Sequence, residues 1–522
     1  MMQRKKITKN YSVSAQINLE DVDFLVDEGI DLIICNRPDN EDEGQLSFAH
    51  IASKAVEKGV SAIHIPFVGG QMRAADVALL EEALKGAENV HAYCRTGNRS
   101  SKIWEAVQEG QINAKFDVVI VGAGSAGIAT AASLLKRRSR LKICLIDPAE
   151  KHFYQPGWTL VGGGVFDAKT TSKAMEDVIP SNTTWIKESV EGFEAEKNTV
   201  LLGNGATINY RFLVVAAGLK LNWDEVEGLS DTLGRNGVTS NYRYDLAPYT
   251  WELVESLKNG KAIFTQPPMP IKCAGAPQKA MYLSCDHWYK QKVLSGIEVQ
   301  FRNAGGVLFG VAEYVPALEK YIEKYDAKVH FNHNLVKVDG PNKQAYFSVA
   351  TADGKKEIVK ADFDMLHVCP PQCAPDFISK SSLVDKAGWV DVDQETLQHK
   401  TFPNIWALGD VVNTPNAKTM AAARKQAPVV AQNICDAIEG QPINAVYDGY
   451  GSCPLTVERG KIVLAEFGYG GKLLPTFPKW LNDGSKPTRF AWWLKETILP
   501  PFYWYGMLKG REWFAKPEKR KQ

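Results

Sequence analysis

The 522-residue chain has no run of about 18 or more consecutive apolar residues, so no transmembrane helix is expected. Its start, Met-Met-Gln-Arg-Lys-Lys-Ile-Thr-Lys-Asn, is charged and lacks an apolar stretch, so no signal peptide is expected. An excess of either charge is missing too: 61 Lys and Arg face 60 Asp and Glu, leaving +1. That balance provides no global field for nucleic acid and no acidic solvating tail. Nine cysteines, an odd number spread along a long chain, do not build the framework of a small secreted domain. A reducing cytoplasm is the expected setting, with peripheral attachment to a membrane from that side. Internal repeats and low-complexity tracts are absent.

What is present is ordinary in bulk: 45% apolar and 23% charged residues, as in a globular protein. The length exceeds one hydrophobic core and implies two to four domains. The first, to about residue 112, alternates apolar strands (31–35, 62–66, 90–93) with helix patterns (48–57, 74–84), which implies an α/β sandwich. Gln111–Lys115 reads as a linker, followed by a long unit over 116–475 and an aromatic, basic region over 476–522.

Phe116–Val121 reads as a buried strand running into Gly122-Ala-Gly124-Ser125-Ala-Gly127 and a helix, the context in which a glycine fingerprint holds a dinucleotide. The glycines allow a tight turn and let a pyrophosphate approach the amides at the helix N-terminus. Asp147, at the end of the next strand, suits a ribose hydroxyl. Leu213-Val-Val-Ala-Ala-Gly218 and the later strand ending in Gly409-Asp410 look like the segments that complete an FAD site in two-domain flavoproteins. Lys418, just after that strand, is a candidate to stabilise reduced flavin, either as a cation or through the helix that follows. A second glycine fingerprint, needed for NAD(P)H, is missing. The strand at 261–265 leads into Gln-Pro-Pro-Met-Pro-Ile-Lys-Cys273, and proline has no N–H to offer a pyrophosphate.

Four segments carry a specific resemblance: His152-Phe-Tyr-Gln155-Pro-Gly-Trp-Thr-Leu-Val-Gly-Gly-Gly164, Ile271-Lys-Cys273-Ala-Gly-Ala-Pro-Gln-Lys279, Gly388-Trp-Val-Asp-Val-Asp393 and Cys453-Pro-Leu. Over about 116–515 the chain resembles the sulfide:quinone oxidoreductases, in particular their mitochondrial-type branch. The resemblance implies two tandem Rossmann-like domains of the FAD-dependent pyridine nucleotide-disulfide oxidoreductase type, with FAD as cofactor, Gln155 in the flavin-side motif, and a membrane-facing C-terminal region. It implies Cys273 and Cys453 as a redox pair, either a disulfide or a sulfur-bridged form. Hydrosulfide would attack one sulfur and form a persulfide, and the released thiolate would pass two electrons to FAD. The initial assignment is Cys453 as the thiolate nearest the flavin and Cys273 as the persulfide carrier. Cys369-Pro-Pro-Gln-Cys373 lacks the further ligands a zinc site needs, so no metal is expected. The aromatics between basic residues at 489–495 and 498–509 suit short helices in a membrane interface, where ubiquinone or menaquinone would enter.

In the first unit, Cys94-Arg-Thr-Gly-Asn-Arg99 links a strand to a helix. Such a loop forms an anion cradle and lowers a thiol pKa. With Asn36-Arg-Pro-Asp it resembles the β-lactamase hydrolase-like domain, a relative of the dual-specificity phosphatase fold. The loop is C-x₄-R, the rhodanese length, where phosphatases have C-x₅-R. Phe67-Val-Gly-Gly-Gln71 offers no acid to protonate a leaving group. Sulfur transfer through Cys94, with Arg99 stabilising the anion, is therefore expected, from Cys273 or through a small thiol such as glutathione. The alternatives are an NADH:quinone-type flavin oxidoreductase, or a phosphatase-like sensing module on a degenerate flavoprotein. The expected partners are sulfide, quinone, a small thiol and a membrane surface, without nucleic acid; a homo-oligomer stays open.

Overall fold

The computed structural model describes residues 2–72, 74–113, 116–350 and 355–520. The chain divides into two compact units, 1–115 and 116–522.

The first unit is an α/β sandwich. Its strands are β1 (Arg4–Lys6), β2 (Tyr11–Ser14), β3 (Leu32–Cys35), β4 (Ser61–His64) and β5 (Val90–Tyr93). They lie in the order β1-β2-β5-β3-β4, parallel except for β1. Helices α1 (Leu19–Asp27), α2 (Phe48–Glu57), α3 (Ala74–Leu84) and α4 (Asn98–Asn113) complete it. Because β2, β3 and β5 are buried along their whole length, they read as continuous apolar runs rather than alternating ones. The segment read as a linker is different: α4 carries through Gln111–Asn113, and 114–115 lie outside the described residues.

The second unit opens with β6 (Phe116–Val121), α5 (Ser125–Arg137) and β7 (Ile143–Ile146). These join β8 (Thr183–Ile186), β9 (Val190–Glu194), β10 (Thr199–Leu202) and β11 (Thr207–Val215) in the order β8-β7-β6-β11-β10-β9. Five strands follow: β12 (Val238–Thr239), β13 (Gly260–Gln266), β14 (Ile297–Asn303), β15 (Lys328–Phe331) and β16 (Met365–His367). They form a second sheet, wholly parallel, in the order β12-β16-β13-β14-β15. Helix α6 (Ala276–Lys290) leaves β13 and packs on this sheet. The chain then returns to the first sheet: β17 (Ile405–Ala407) adds parallel to β11, and α7 (Met420–Ile438) packs against α5. Last come β18 (Gly451–Glu458), β19 (Lys461–Phe467) and β20 (Pro487–Thr488), an antiparallel sheet, then α8 (Arg489–Trp493) and α9 (Leu499–Tyr505).

The C-terminal region is not a separate appendage. Tyr503, Trp504, Met507 and Leu508 are buried in the same core as β6 and β11. No helix among the described residues is long and apolar enough to cross a membrane.

Candidate active site

The end of β13 delivers Cys273. After the prolines the chain turns sharply: Cys273 has φ +49°, uncommon for a residue with a Cβ, and its N–H donates to the Lys418 carbonyl at 2.8 Å. Its own carbonyl accepts the Ala276 N–H at 2.7 Å, closing the turn into α6. Cys453 sits in β18, opposite Ala465 of β19. The two sulfurs are 3.9 Å apart. Gly275 makes this approach feasible: a Cβ there would lie 2.5 Å from the Cys453 sulfur and 2.4 Å from Leu455.

Two buried lysines flank the pair. Lys279, one turn into α6, places Nζ 3.1 Å from the Cys273 sulfur and 3.9 Å from that of Cys453. Lys495, only 4% exposed, follows α8 and donates to the Pro156 carbonyl at 2.9 Å. The sequence reading missed both, and Lys495 was expected among groups that face lipid. Tertiary packing turns it inward.

The electrostatics separate the two thiols. The Cys453 S–H donating to Cys273, together with the Lys279 ammonium, overcomes desolvation and holds Cys273 well below the usual thiol range. Cys453, donating that hydrogen bond in a buried site beside a thiolate, is pushed up and keeps its proton. Burial, aided by the Lys279 charge, pushes Lys495 down to about 7. Cys369 is pushed up to about 12 by burial and is a poor nucleophile.

Cys273, and not Cys453, lines a cavity of about 550 Å³. This is opposite to the initial assignment, which set Cys453 on the flavin side. Gly124, Ser125, Gln155, Gly218, Gly409 and Asp410 line the same cavity, as do Lys272 and Lys279. Gly122 and Gly127 are needed by the protein itself: a Cβ at Gly122 would lie 2.5 Å from the Ala216 carbonyl oxygen, and one at Gly127 would lie 1.9 Å from that of Gly122. Gly124, which caps α5, is different, for a Cβ there would meet nothing within 4 Å. Open space above a bare helix N-terminus is the cradle a pyrophosphate requires. Thr159 Oγ1, the Trp158 indole N–H and both amide atoms of Asn241 belong to residues lining this cavity and lack partners within the protein. The residues therefore fit a large, polar and partly aromatic cofactor.

The remaining expected cofactor residues divide by what they touch. Asp147 accepts the Ala123 N–H at 2.7 Å and the Ala149 N–H at 2.9 Å, so it shapes the glycine loop. Ser125 Oγ lies 2.6 Å from the Tyr503 hydroxyl of α9. His152 Nδ1–H donates to the Ala123 carbonyl, so Nε2 accepts from Tyr503 and Ser125 donates to Tyr503. The C-terminal region thus buttresses the loop through a residue the sequence reading had not singled out. Lys418 is not a free cation. Its Nζ donates to the Asp410 and Val412 carbonyls, each at 2.7 Å, and lies 4.0 Å from the centre of the Trp389 ring. The cavity wall there is formed by Thr419, Met420 and Ala421 at the N-terminus of α7. Of the two roles expected near Lys418, the geometry offers that of the helix N-terminus.

In the first unit, β5 delivers Cys94 and α4 follows from Asn98. Burial alone would raise the Cys94 thiol. The amides of Ser100, Thr96, Arg99 and Gly97 outweigh it and hold the thiol below its usual range. The Gly97 N–H reaches the sulfur at 3.1 Å. Arg99 is gripped from the other end: Nη1 and Nη2 donate to Glu41 at 2.9 and 2.6 Å, and Nη1 also to the Phe67 carbonyl. Arg37 donates to the same Glu41 carboxylate at 2.8 Å. Glu41, far from Cys94 in the chain, had not been singled out. No metal-binding cluster of His, Cys, Asp or Glu occurs among the described residues.

Comparison with known proteins places these sites in context. Residues 3–111 match the family described as beta-lactamase hydrolase-like protein, phosphatase-like domain, and residues 116–250 match pyridine nucleotide-disulphide oxidoreductase. A mitochondrial sulfide:quinone oxidoreductase of Dictyostelium discoideum is 44% identical over 402 residues, covering 76% of this chain and 87% of the relative. This chain belongs to the sulfide:quinone oxidoreductase family. The mouse mitochondrial enzyme of that name is 37% identical over 395 residues, again 76% of this chain and 87% of the relative. The solved sulfide:quinone oxidoreductase of Aquifex aeolicus shares the fold, with a TM-score of 0.64 at 20% identity, covering 78% of this chain and 97% of that one. The cofactor of this flavoprotein is FAD.

Proposed function

We propose that the chain oxidises sulfide at the Cys273–Cys453 pair and passes the electrons by way of FAD to quinone. The observation that carries this reading is two sulfurs 3.9 Å apart, one of them on the wall of the cavity that fits FAD. In the oxidised enzyme the pair is disulfide-bonded. Hydrosulfide attacks the Cys453 sulfur, a new S–S bond forms there, the old one breaks, and Cys273 leaves as a thiolate stabilised by Lys279. This reverses the initial assignment, because Cys273 is the better leaving group and the one on the cavity wall. A small thiolate then attacks the outer sulfur of the Cys453 persulfide and departs carrying it, leaving two reduced cysteines. FAD, held over Gly124 in the cavity that Cys273 lines, would supply the two-electron acceptor for re-forming the disulfide and the donor for quinone. Anaerobic mixing with sulfide and a small thiol acceptor tests the reading: the flavin absorbance should bleach and return on adding a quinone analogue. Bleaching by NADH but not by sulfide would refute it.

The C-terminal region suits a peripheral membrane contact. Trp480 is 84% exposed and Phe514 75%, while Phe490, Ile498 and Leu499 line the cavity nearby in sequence. Indole and phenyl rings exposed among Lys and Arg favour the headgroup level of a bilayer. Replacing Trp480 and Phe514 together by serine should reduce co-sedimentation with anionic phospholipid vesicles at least about tenfold, since each side chain contributes about 1.5–3 kcal/mol on burial. Unchanged sedimentation would remove this surface from consideration.

Cys94 is proposed to accept sulfane sulfur, from the Cys453 persulfide or through a carrier such as glutathione. Its support is a thiol inside an amide cradle in a six-residue loop, with no acid on the Phe67–Gln71 segment for ester hydrolysis. In the full chain, Cys94→Ser should leave sulfide-driven flavin bleaching within about twofold of the parent. It should abolish sulfur transfer from thiosulfate or glutathione persulfide to cyanide. Robust phosphatase turnover by the parent with no such transfer would reverse the assignment.

A further inference from the structure

Besides Lys279 and Lys495, a third lysine, Lys272, adjoins Cys273, and the redox mechanism above does not use it. It projects into the cavity from the turn between β13 and α6. Its Nζ donates to Gln155 Oε1 and lies 5.5 Å from the centre of the Trp158 ring and 5.7 Å from that of Tyr242. Burial pushes its pKa below the usual lysine range, and the charges of Asp410 and Cys273 oppose that shift and favour the ammonium. Lys272 and Lys418 face each other in an isolated bridge. Their side chains part there, since the Lys418 ammonium is spent on carbonyls and Lys272 alone of the two lines the cavity.

FAD held by its pyrophosphate at the cradle over Gly124 would have to bring its ring to Cys273, which lines the same cavity. Lys272, the residue before Cys273, lines that same cavity together with Asp410. Two-electron reduction leaves a negative charge on the ring system, and a cation held in a site of low dielectric stabilises it far more than one in water. We propose that Lys272 is the charge that stabilises reduced FAD in this protein and so sets its midpoint potential. The proposal rests on FAD occupying this cavity and is independent of which cysteine carries the persulfide.

The test is a dye-equilibrated redox titration of FAD-loaded protein, without sulfide, read from the flavin absorbance and repeated across pH. Lys272→Met should lower the midpoint by the equivalent of at least a tenfold change in equilibrium constant, ~30 mV for two electrons. It should also move the break in the pH dependence of the midpoint upward, because a proton must then neutralise the charge the lysine had met. Lys272→Arg should restore most of the shift. A parental midpoint and pH dependence in Lys272→Met would overturn the proposal. Loss of FAD from both Lys272→Met and Lys272→Gln would overturn it as well, making Lys272 a strut of the binding site. If Cys453→Ser still bleached with sulfide while Lys272→Met lowered the midpoint, the cysteine mechanism would fall and this inference would stand.

Discussion

Cys453→Ser should keep its FAD and lose sulfide-driven bleaching by roughly a thousandfold or more, the scale seen when one member of a catalytic unit is removed. The serine oxygen cannot form or break the S–S bond on which each step turns. Cys273→Ser should cost about as much, because neither sulfur acts without the other. Dithionite should still reduce the flavin of both variants, and a quinone analogue should still reoxidise it. Stopped-flow absorbance under anaerobic conditions separates the two halves of the cycle. A Cys453→Ser enzyme bleached by sulfide at the parental rate would remove the pair from the mechanism.

Much of this site can be read in the chain because its parts are local. Gly122–Gly127 lies between a strand and a helix, and the backbone explains each glycine: two meet protein atoms, and Gly124 meets open space. The motif around Cys273 includes Gly275, whose missing side chain leaves room for the Cys453 sulfur. The alternation of strand and helix in the first unit is likewise set by apolar runs buried in parallel sheets. The remainder depends on contacts that no spacing encodes. Lys495 lies in an aromatic, basic stretch that reads as a membrane surface, yet α8 packs on β19 and carries it into the site. Tyr503 reads as one more aromatic of that surface and instead joins His152 and Ser125. The sequence points to Lys418, which follows the Gly409-Asp410 strand, and gives no sign of Lys272. Only the side-chain directions show that carbonyls occupy one while the other lines the cavity. Glu41 is reached by Arg99 across 58 residues of chain, and nothing near either residue signals the pairing.

Lys279→Met should raise the Cys273 pKa and slow its reactions roughly ten- to a hundredfold at neutral pH. The sign follows from the charge. An ammonium 3.1 Å from the sulfur favours thiolate over thiol, so its removal leaves burial to favour the neutral form. In a buried pair of this kind little solvent screens the charge, so its loss is felt strongly at the sulfur. Iodoacetamide alkylation of the reduced enzyme, mapped to Cys273 by mass spectrometry, reads the thiolate without the ionisation of sulfide itself. The alkylation profile should move to higher pH, and raising the pH should restore the rate. Lys279→Arg should hold it near the parental position. Lys495 supplies the contrast, since it loses its proton near pH 7. Lys495→Met should therefore leave alkylation nearly unchanged well above that pH and slow it below, where the parent carries two positive charges against the pair. If Lys279→Met gave the parental profile, the low pKa of Cys273 would have to come from the Cys453 hydrogen bond and the Lys495 charge, and Cys453→Ala, which removes the donor, would then carry most of the upward shift.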